Sequence, residues 1–99
     1  LSLNRIRLKN VNDKSEKTIK ATGAFIAIGH DPATKLFKNK IKMDNENYII
    51  TKSDSTETNI KGIFAAGDVK DKLFRQAVTA AGMGCMAALE AEKYIAENY

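Results

Sequence analysis

Alternation of apolar and polar positions predicts a hairpin at the start of the chain. Residues 3–9 alternate between the two classes, as expected for a strand with one face in water. Residues 12–15 have turn chemistry, and residues 18–21 are predicted to form the returning strand. An isolated hairpin without a large apolar face is marginally stable in water, so we expect residues 1–21 to complete a sheet whose other strands lie elsewhere.

Three later runs predict short buried strands. Residues 24–28 are continuously apolar but too few for a helix, which favours a strand buried on both faces, as in a parallel sheet. Residues 48–51 are rich in β-branched and aromatic side chains, and residues 63–66 form a further apolar run. Gly67 and Asp68 follow that last run, so the aspartate is expected at the carboxyl end of a strand.

The alanine content and the spacing of apolar residues predict a long helix over residues 75–97. A stripe at i+4 spacing is expected to face the core: Ala77, Ala81, Cys85 and Leu89. Charged residues are expected to cover the side in water: Glu90, Glu92, Lys93 and Glu97. Two glycines in the first half weaken helix propensity by about 1 kcal/mol each. Close approach to another backbone or to a flat ligand would compensate for this loss.

This order of elements predicts an α/β fold and a candidate binding site. Ligands of open α/β sheets bind outside the carboxyl ends of the strands, where Asp68 is expected. The helix that follows begins with N–H groups that lack intrahelical partners and carry the positive end of the helix dipole. The carboxylate of Asp68 and these N–H donors are therefore predicted to face one pocket.

Composition and charge narrow the class of protein. The chain has 99 residues, 43% hydrophobic and 28% charged, which is typical of one soluble globular domain. The net charge of +4 arises from lysines and arginines in the first half, which are scattered through turns and edge strands. We therefore interpret them as solubilising charge and predict no nucleic-acid surface. No apolar run approaches the length of a membrane span and no signal-peptide pattern is seen, so a cytoplasmic location is expected. The sequence starts at Leu1, which leaves open that it is a piece of a longer protein.

Several possible chemical motifs are set aside. Cys85 is a single cysteine, so it forms no internal disulfide or Cys-x-x-Cys pair, and it is interpreted as a small buried hydrophobe. His30 is interpreted as structural or solvated. Residues 82–87 formally fit G-x-G-x-x-A, but helical sequence precedes them and the strand and acidic residue that this motif requires do not follow. No catalytic residue and no metal site are predicted.

Two segments that contain the candidate site residues resemble a known family. Residues 58–69, which end in Gly67-Asp68-Val69, and residues 75–88, which begin Arg75-Gln76-Ala77, closely resemble the C-terminal part of bacterial-type thioredoxin reductases. Residues 25–32 resemble the segment in which that family's chain re-enters its FAD domain from its NADPH domain. Members of the family are homodimeric flavoproteins that pass electrons from NADPH through FAD to a Cys-x-x-Cys pair and on to thioredoxin.

The resemblance implies specific roles for the site residues. Asp68, beside Gly67, is expected to accept a hydrogen bond from the ribityl chain of FAD. The N–H groups of Gln76 and Ala77 are expected to meet the pyrimidine edge of the flavin, with Arg75 nearby. Reduction places negative charge at that edge of the ring, and a helix N-terminus is suited to stabilise it.

The resemblance also implies that the chain is incomplete as an enzyme. It predicts a partial FAD/NAD(P)-binding domain of the ββα three-layer type, with residues 1–21 ending the NADPH-binding domain and residues 22–99 forming the C-terminal half of the FAD-binding domain. The glycine-rich loop for the FAD pyrophosphate, the NADPH domain and the cysteine pair are not in this sequence, so turnover by the chain alone is not expected. Two alternatives stay open: a fragment of a ferredoxin-NADP reductase of thioredoxin-reductase type, and a small non-catalytic basic binding module.

Overall fold

A hairpin, two single-turn 3₁₀ helices and one long helix make up the computed structural model, which describes residues 2–99. The strands are β1 (Arg5–Lys9) and β2 (Glu16–Lys20). The 3₁₀ helices cover Lys35–Phe37 and Gly67–Val69, and the long helix α1 covers Ala77–Asn98. The α/β composition and the hairpin-to-helix order agree with the prediction.

The hairpin forms where the alternation predicts it. β1 and β2 pair antiparallel, with Ile6 opposite Ile19 on one face. Asp13 shapes the turn by accepting the Ser15 N–H at 2.8 Å, as short acidic side chains often do in turns. Nearly all of the hairpin is exposed, as expected for two strands that have no sheet to join among the described residues.

The predicted strand over residues 24–28 is wrong for this chain. These residues form no ladder, and Phe25 and Ile28 are 101% and 90% exposed. A strand buried on both faces needs neighbouring strands and covering layers, and the described part of the chain provides neither. Residues 48–51 and 63–66 also lack neighbouring strands within residues 2–99. Each forms only a single β-bridge, Ile49 with Met43 and Phe64 with Glu57.

A small core forms between these segments. It consists of Ile41, Ile49 and Ala65, which are buried, and three partly buried side chains that pack on them: Met43, Ile60 and Val69. The radius of gyration is 20.2 Å, whereas a compact domain of about 100 residues has a radius near 13 Å. Most apolar side chains therefore stay in solvent.

Helix α1 has nearly the predicted length but packs through a different face. Every residue of the predicted core stripe is exposed, including Cys85 and Leu89, so the interpretation of Cys85 as buried is wrong here. The partly buried positions are instead Thr79, Ala80, Met83, Ala87, Glu90, Ala91 and Tyr94. Because α1 carries small residues on several of its faces, i+4 spacing alone does not identify the face that packs against the rest of this chain.

Candidate functional site

Gly67 places the predicted acceptor Asp68 beside the start of α1. Its φ of +73° lies in the left-handed region that glycine adopts at little cost, and its carbonyl accepts the N–H groups of Lys70 and Asp71 at 2.9 and 2.8 Å. A Cβ at Gly67 would lie 3.5 Å from the Cβ of Ala80, in the first turn of α1. Asp68 is the next residue and is exposed. The turn therefore leaves Asp68 in solvent, one residue after a glycine that lies close to the first turn of α1.

The predicted donors lie at the junction between a strained loop residue and the helix. Arg75 has φ +51°, an unusual value for a residue with a side chain, and Gln76 is the extended N-cap of α1. The Gln76 N–H donates to Thr79 Oγ1 at 3.3 Å. The N–H groups of Ala77 and Val78 belong to the first helical turn, where the helix itself offers no acceptor. The most available donors are thus those of Ala77 and Val78.

The Arg75 side chain turns toward the small core. Its guanidinium carbon lies 5.8 Å from the centre of the Tyr48 ring, within cation–π range. Its Nε is buried and has no hydrogen-bond partner among residues 2–99. A buried N–H without an acceptor is costly, so the Arg75 side chain is not fully satisfied in this arrangement.

Asp71 organises this loop, although it is not among the site residues predicted from the sequence. The side chain is 6% exposed. Its Oδ1 accepts the N–H groups of Leu73 and Phe74 at 3.1 and 2.9 Å, and its Oδ2 accepts the Arg75 N–H at 3.0 Å. These bonds, above all that from the Phe74 N–H, lower the pKa of the Asp71 carboxyl. The signal that could have found it is an aspartate at the head of a turn, a position from which it commonly accepts nearby N–H groups.

A second set of contacts fixes the loop to the core. The Lys72 ammonium pairs with Asp44 at 3.2 Å and with Glu46, and the carboxylates raise the pKa of Lys72, the Glu46 carboxylate most. The Ile49 N–H donates to the Val69 carbonyl at 2.8 Å. The loop between Asp68 and Arg75 is therefore held at Val69 and at Lys72.

Glu90 joins α1 to the preceding segment, although the sequence placed it in water. Its Oε2 accepts the Thr56 N–H at 2.9 Å and also the Thr56 hydroxyl. These bonds, with the hydroxyl as the main cause, lower the pKa of Glu90. The Thr56 carbonyl in turn accepts the Ala65 N–H at 2.8 Å. Glu90 thus supports the segment that leads into Gly67.

One groove of the described chain lies away from these residues. It has a volume of about 590 Å³, is lined by Lys61, Phe64 and Tyr94 among others, and contains none of the predicted site residues. Among residues 2–99, no helix is both long and apolar enough to cross a membrane.

Comparison with known proteins identifies the family. The sequence profile of the pyridine nucleotide-disulphide oxidoreductases matches residues 2–84. The chain belongs to this family. It is 56% identical to the thioredoxin reductase of Rickettsia bellii over 95% of this chain and 30% of that protein. It is 53% identical to the thioredoxin reductase of Penicillium chrysogenum over 97% of this chain and 29% of that protein.

Solved structures of thioredoxin reductases share the fold. The enzyme of Giardia duodenalis superposes with a TM-score of 0.77 at 40% identity, over 94% of this chain and 31% of that one. The enzyme of Streptococcus pyogenes superposes with a TM-score of 0.78 at 35% identity, over 95% of this chain and 30% of that one. The resemblance drawn from residues 58–69 and 75–88 is confirmed, as is the FAD/NAD-binding fold class. The chain spans about 30% of the length of these pyridine nucleotide-disulphide oxidoreductases. The roles of Gly67, Asp68, Arg75, Gln76 and Ala77 stay predictions.

Proposed function

We propose that this chain is the C-terminal FAD-domain portion of an NADPH-dependent thioredoxin-disulfide reductase, and that it is not competent alone. The observation that carries the proposal is its similarity to proteins named thioredoxin reductase, at 56% identity over 95% of the chain but 30% of the relative. A self-contained binding module would not be expected to match one segment of a longer enzyme so completely. The full-length protein, meaning the whole product of the gene that encodes this chain, would supply the remaining parts of the enzyme.

The chain is proposed to contain parts of two domains. Residues 1–21 would end the NADPH-binding domain and residues 22–99 would form the second half of the FAD domain. The exposed hairpin and the exposed apolar residues 24–28 support this division, because each has the composition to join a sheet supplied by preceding sequence.

The donor and acceptor set fits the flavin-ring side of FAD. Asp68 offers an exposed acceptor for a ribityl hydroxyl, while Ala77 and Val78 offer N–H groups at a helix N-terminus. Arg75 lies nearby in the chain, immediately before the N-cap of α1. When bound, FAD would carry electrons between NADPH and a disulfide; these residues would bind and orient it and stabilise negative charge at the pyrimidine edge.

The partners follow from the same proposal. Thioredoxin would accept the electrons, and the cysteine pair that passes them on would lie in the preceding sequence. A homodimer and a cytoplasmic location complete the proposal, and both rest on the resemblance to thioredoxin reductases.

The full-length protein tests the function directly. With NADPH and oxidised thioredoxin we expect FAD-dependent loss of NADPH absorbance and reduction of the thioredoxin disulfide, with little NADPH loss when thioredoxin is omitted. NADPH oxidation that is supported by ferredoxin and not by thioredoxin would contradict the proposal and favour the ferredoxin reductase alternative.

The Glu90 contact predicts a pH-dependent stability difference in the same protein. The Glu90→Gln variant keeps one amide oxygen that can accept from Thr56 but loses the negative charge that strengthens these hydrogen bonds, so its melting temperature at pH 7 should fall by about 2–6 °C. Because the folded state lowers the pKa of Glu90, its stabilisation is present above the unfolded pKa and disappears as pH falls through the folded value. The difference from wild type should therefore shrink below about pH 4.3.

The matched control for this experiment is Glu92→Gln, at an exposed position of the same helix. Its melting temperature should follow wild type at each pH. Equal melting temperatures of Glu90→Gln and Glu92→Gln at pH 7 would show that the charge of Glu90 adds no stability to the contact with Thr56.

A further inference from the structure

The two carboxylate oxygens of Asp71 perform different tasks. Oδ1 accepts the N–H groups of Leu73 and Phe74 and closes the turn immediately after the aspartate. Oδ2 accepts the Arg75 N–H at 3.0 Å and lies 3.1 Å from the hydroxyl of Thr79, inside α1. One oxygen shapes the loop, and the other ties that loop to the helix.

The Oδ2 contacts act on Arg75, whose backbone conformation is unusual for a residue with a side chain. Arg75 has φ +51°, a region that residues with side chains seldom occupy unless surrounding contacts impose it. The residue after it, Gln76, is the N-cap, and its N–H donates to the same Thr79 hydroxyl oxygen at 3.3 Å. The direction of the first N–H groups of α1 therefore depends on the conformation that Asp71 imposes on Arg75.

We propose that Asp71 is a positioning residue: by fixing Arg75 and Thr79 through Oδ2, it orients the first turn of α1 so that the N–H groups of Ala77 and Val78 point at the pyrimidine edge of the flavin. The inference rests on the proposed function, since the flavin is the group toward which these donors would point. Asp71 itself is buried behind the loop and touches backbone and Thr79, so its effect on the cofactor is indirect.

The substitution Asp71→Asn in the full-length protein separates the two oxygens. Its remaining carbonyl oxygen can accept the Leu73 and Phe74 N–H groups, but its NH₂ group would then face the Arg75 N–H, donor against donor. Arg75 is expected to leave its left-handed backbone conformation. The first N–H groups of α1 would then no longer point at the flavin. We expect FAD binding to weaken about tenfold, and the preference for reduced over oxidised flavin to fall about tenfold. For a two-electron couple the latter is a shift of about 30 mV to more negative potential.

Two controls distinguish positioning from general destabilisation. Asp13→Asn makes the same chemical change at a turn aspartate in the hairpin, far along the chain from the helix start. Glu90→Gln weakens a stabilising contact of α1 without touching Arg75 or Thr79. Both variants should keep the wild-type flavin potential, whatever their melting temperatures.

A second pair of variants tests the positioning role of Asp71 if Asp71→Asn does not fold. Thr79→Val removes the hydroxyl that meets both Oδ2 and the Gln76 N–H, whereas Thr79→Ser retains it. The valine variant should shift the potential in the same direction as Asp71→Asn, and the serine variant should restore the wild-type value.

The outcomes separate this inference from the function it rests on. Wild-type potential in both Asp71→Asn and Thr79→Val, with FAD bound and only the melting temperature lowered, would overturn the inference and leave the proposed function intact. A wild-type full-length protein that binds no FAD would overturn both.

Discussion

The Asp68→Ala variant of the full-length protein is expected to be purified with most of its FAD missing. Asp68 is exposed, and the left-handed Gly67 that precedes it lies close to Ala80 in the first turn of α1. Removing its carboxylate leaves a ribityl hydroxyl without a charged acceptor, and the loss of such a bond typically weakens binding about 10- to 100-fold. The measurement is the ratio of flavin to protein absorbance after gel filtration, followed by titration of the apoprotein with FAD.

Glu92→Ala is the matched control for this prediction. It removes an exposed carboxylate from α1 at a distance along the helix from the candidate site, so its flavin content should equal that of wild type. Asp68→Ala protein that retains stoichiometric FAD through gel filtration, with an unchanged dissociation constant, would remove Asp68 from the cofactor site.

The second large effect is expected when residues 1–99 are produced alone. Phe25, Ile26 and Ile28 are fully or almost fully exposed, and the core contains few buried apolar side chains. Such a chain buries too little apolar surface to offset the loss of conformational entropy, and its exposed apolar residues promote association. We expect no cooperative thermal transition, strong binding of a hydrophobic dye, concentration-dependent sedimentation and no stoichiometric FAD.

The full-length protein is the reference for that experiment. It should unfold cooperatively and bind the dye weakly under identical conditions, because preceding sequence would cover the exposed segments. A single cooperative melting transition of isolated residues 1–99, together with monomeric sedimentation, would show that the chain is a self-contained module and would contradict the proposed function.

The elements that the sequence predicted well are those with local determinants. The hairpin of β1 and β2 follows from alternation and from a turn that contains Asp13, both of which are close in sequence. Helix α1 follows from its alanine content, and its observed bounds lie within two residues of the predicted ones. The closeness of Gly67 to the first turn of α1 has the same origin, because both lie in one short stretch of chain.

The predictions that failed required information from outside the segment concerned. Residues 24–28 have the composition of a buried strand, but burial needs partners, and none lies in the described part of the chain. The packed face of α1 could not be read from spacing because small apolar residues occur on several sides of the helix. Glu90 was placed in water for its charge, whereas Thr56, distant in sequence, draws it into a partly buried contact.

Asp71 was missed for a different reason. An aspartate at the head of a turn commonly accepts a nearby N–H group, but the sequence does not show that Asp71 accepts several of them or that it is buried. Its importance appears only when the loop closes and places Arg75 and Thr79 around the same oxygen.

The most direct test of the central claim is the visible absorption spectrum of the purified full-length protein before and after addition of NADPH. The claim is that residues 67–68 and 75–77 form the flavin-ring side of an FAD site in a thioredoxin reductase. It predicts a flavin band corresponding to stoichiometric FAD, which NADPH bleaches and oxidised thioredoxin restores. A protein that is colourless and shows no flavin band after incubation with excess FAD would contradict it.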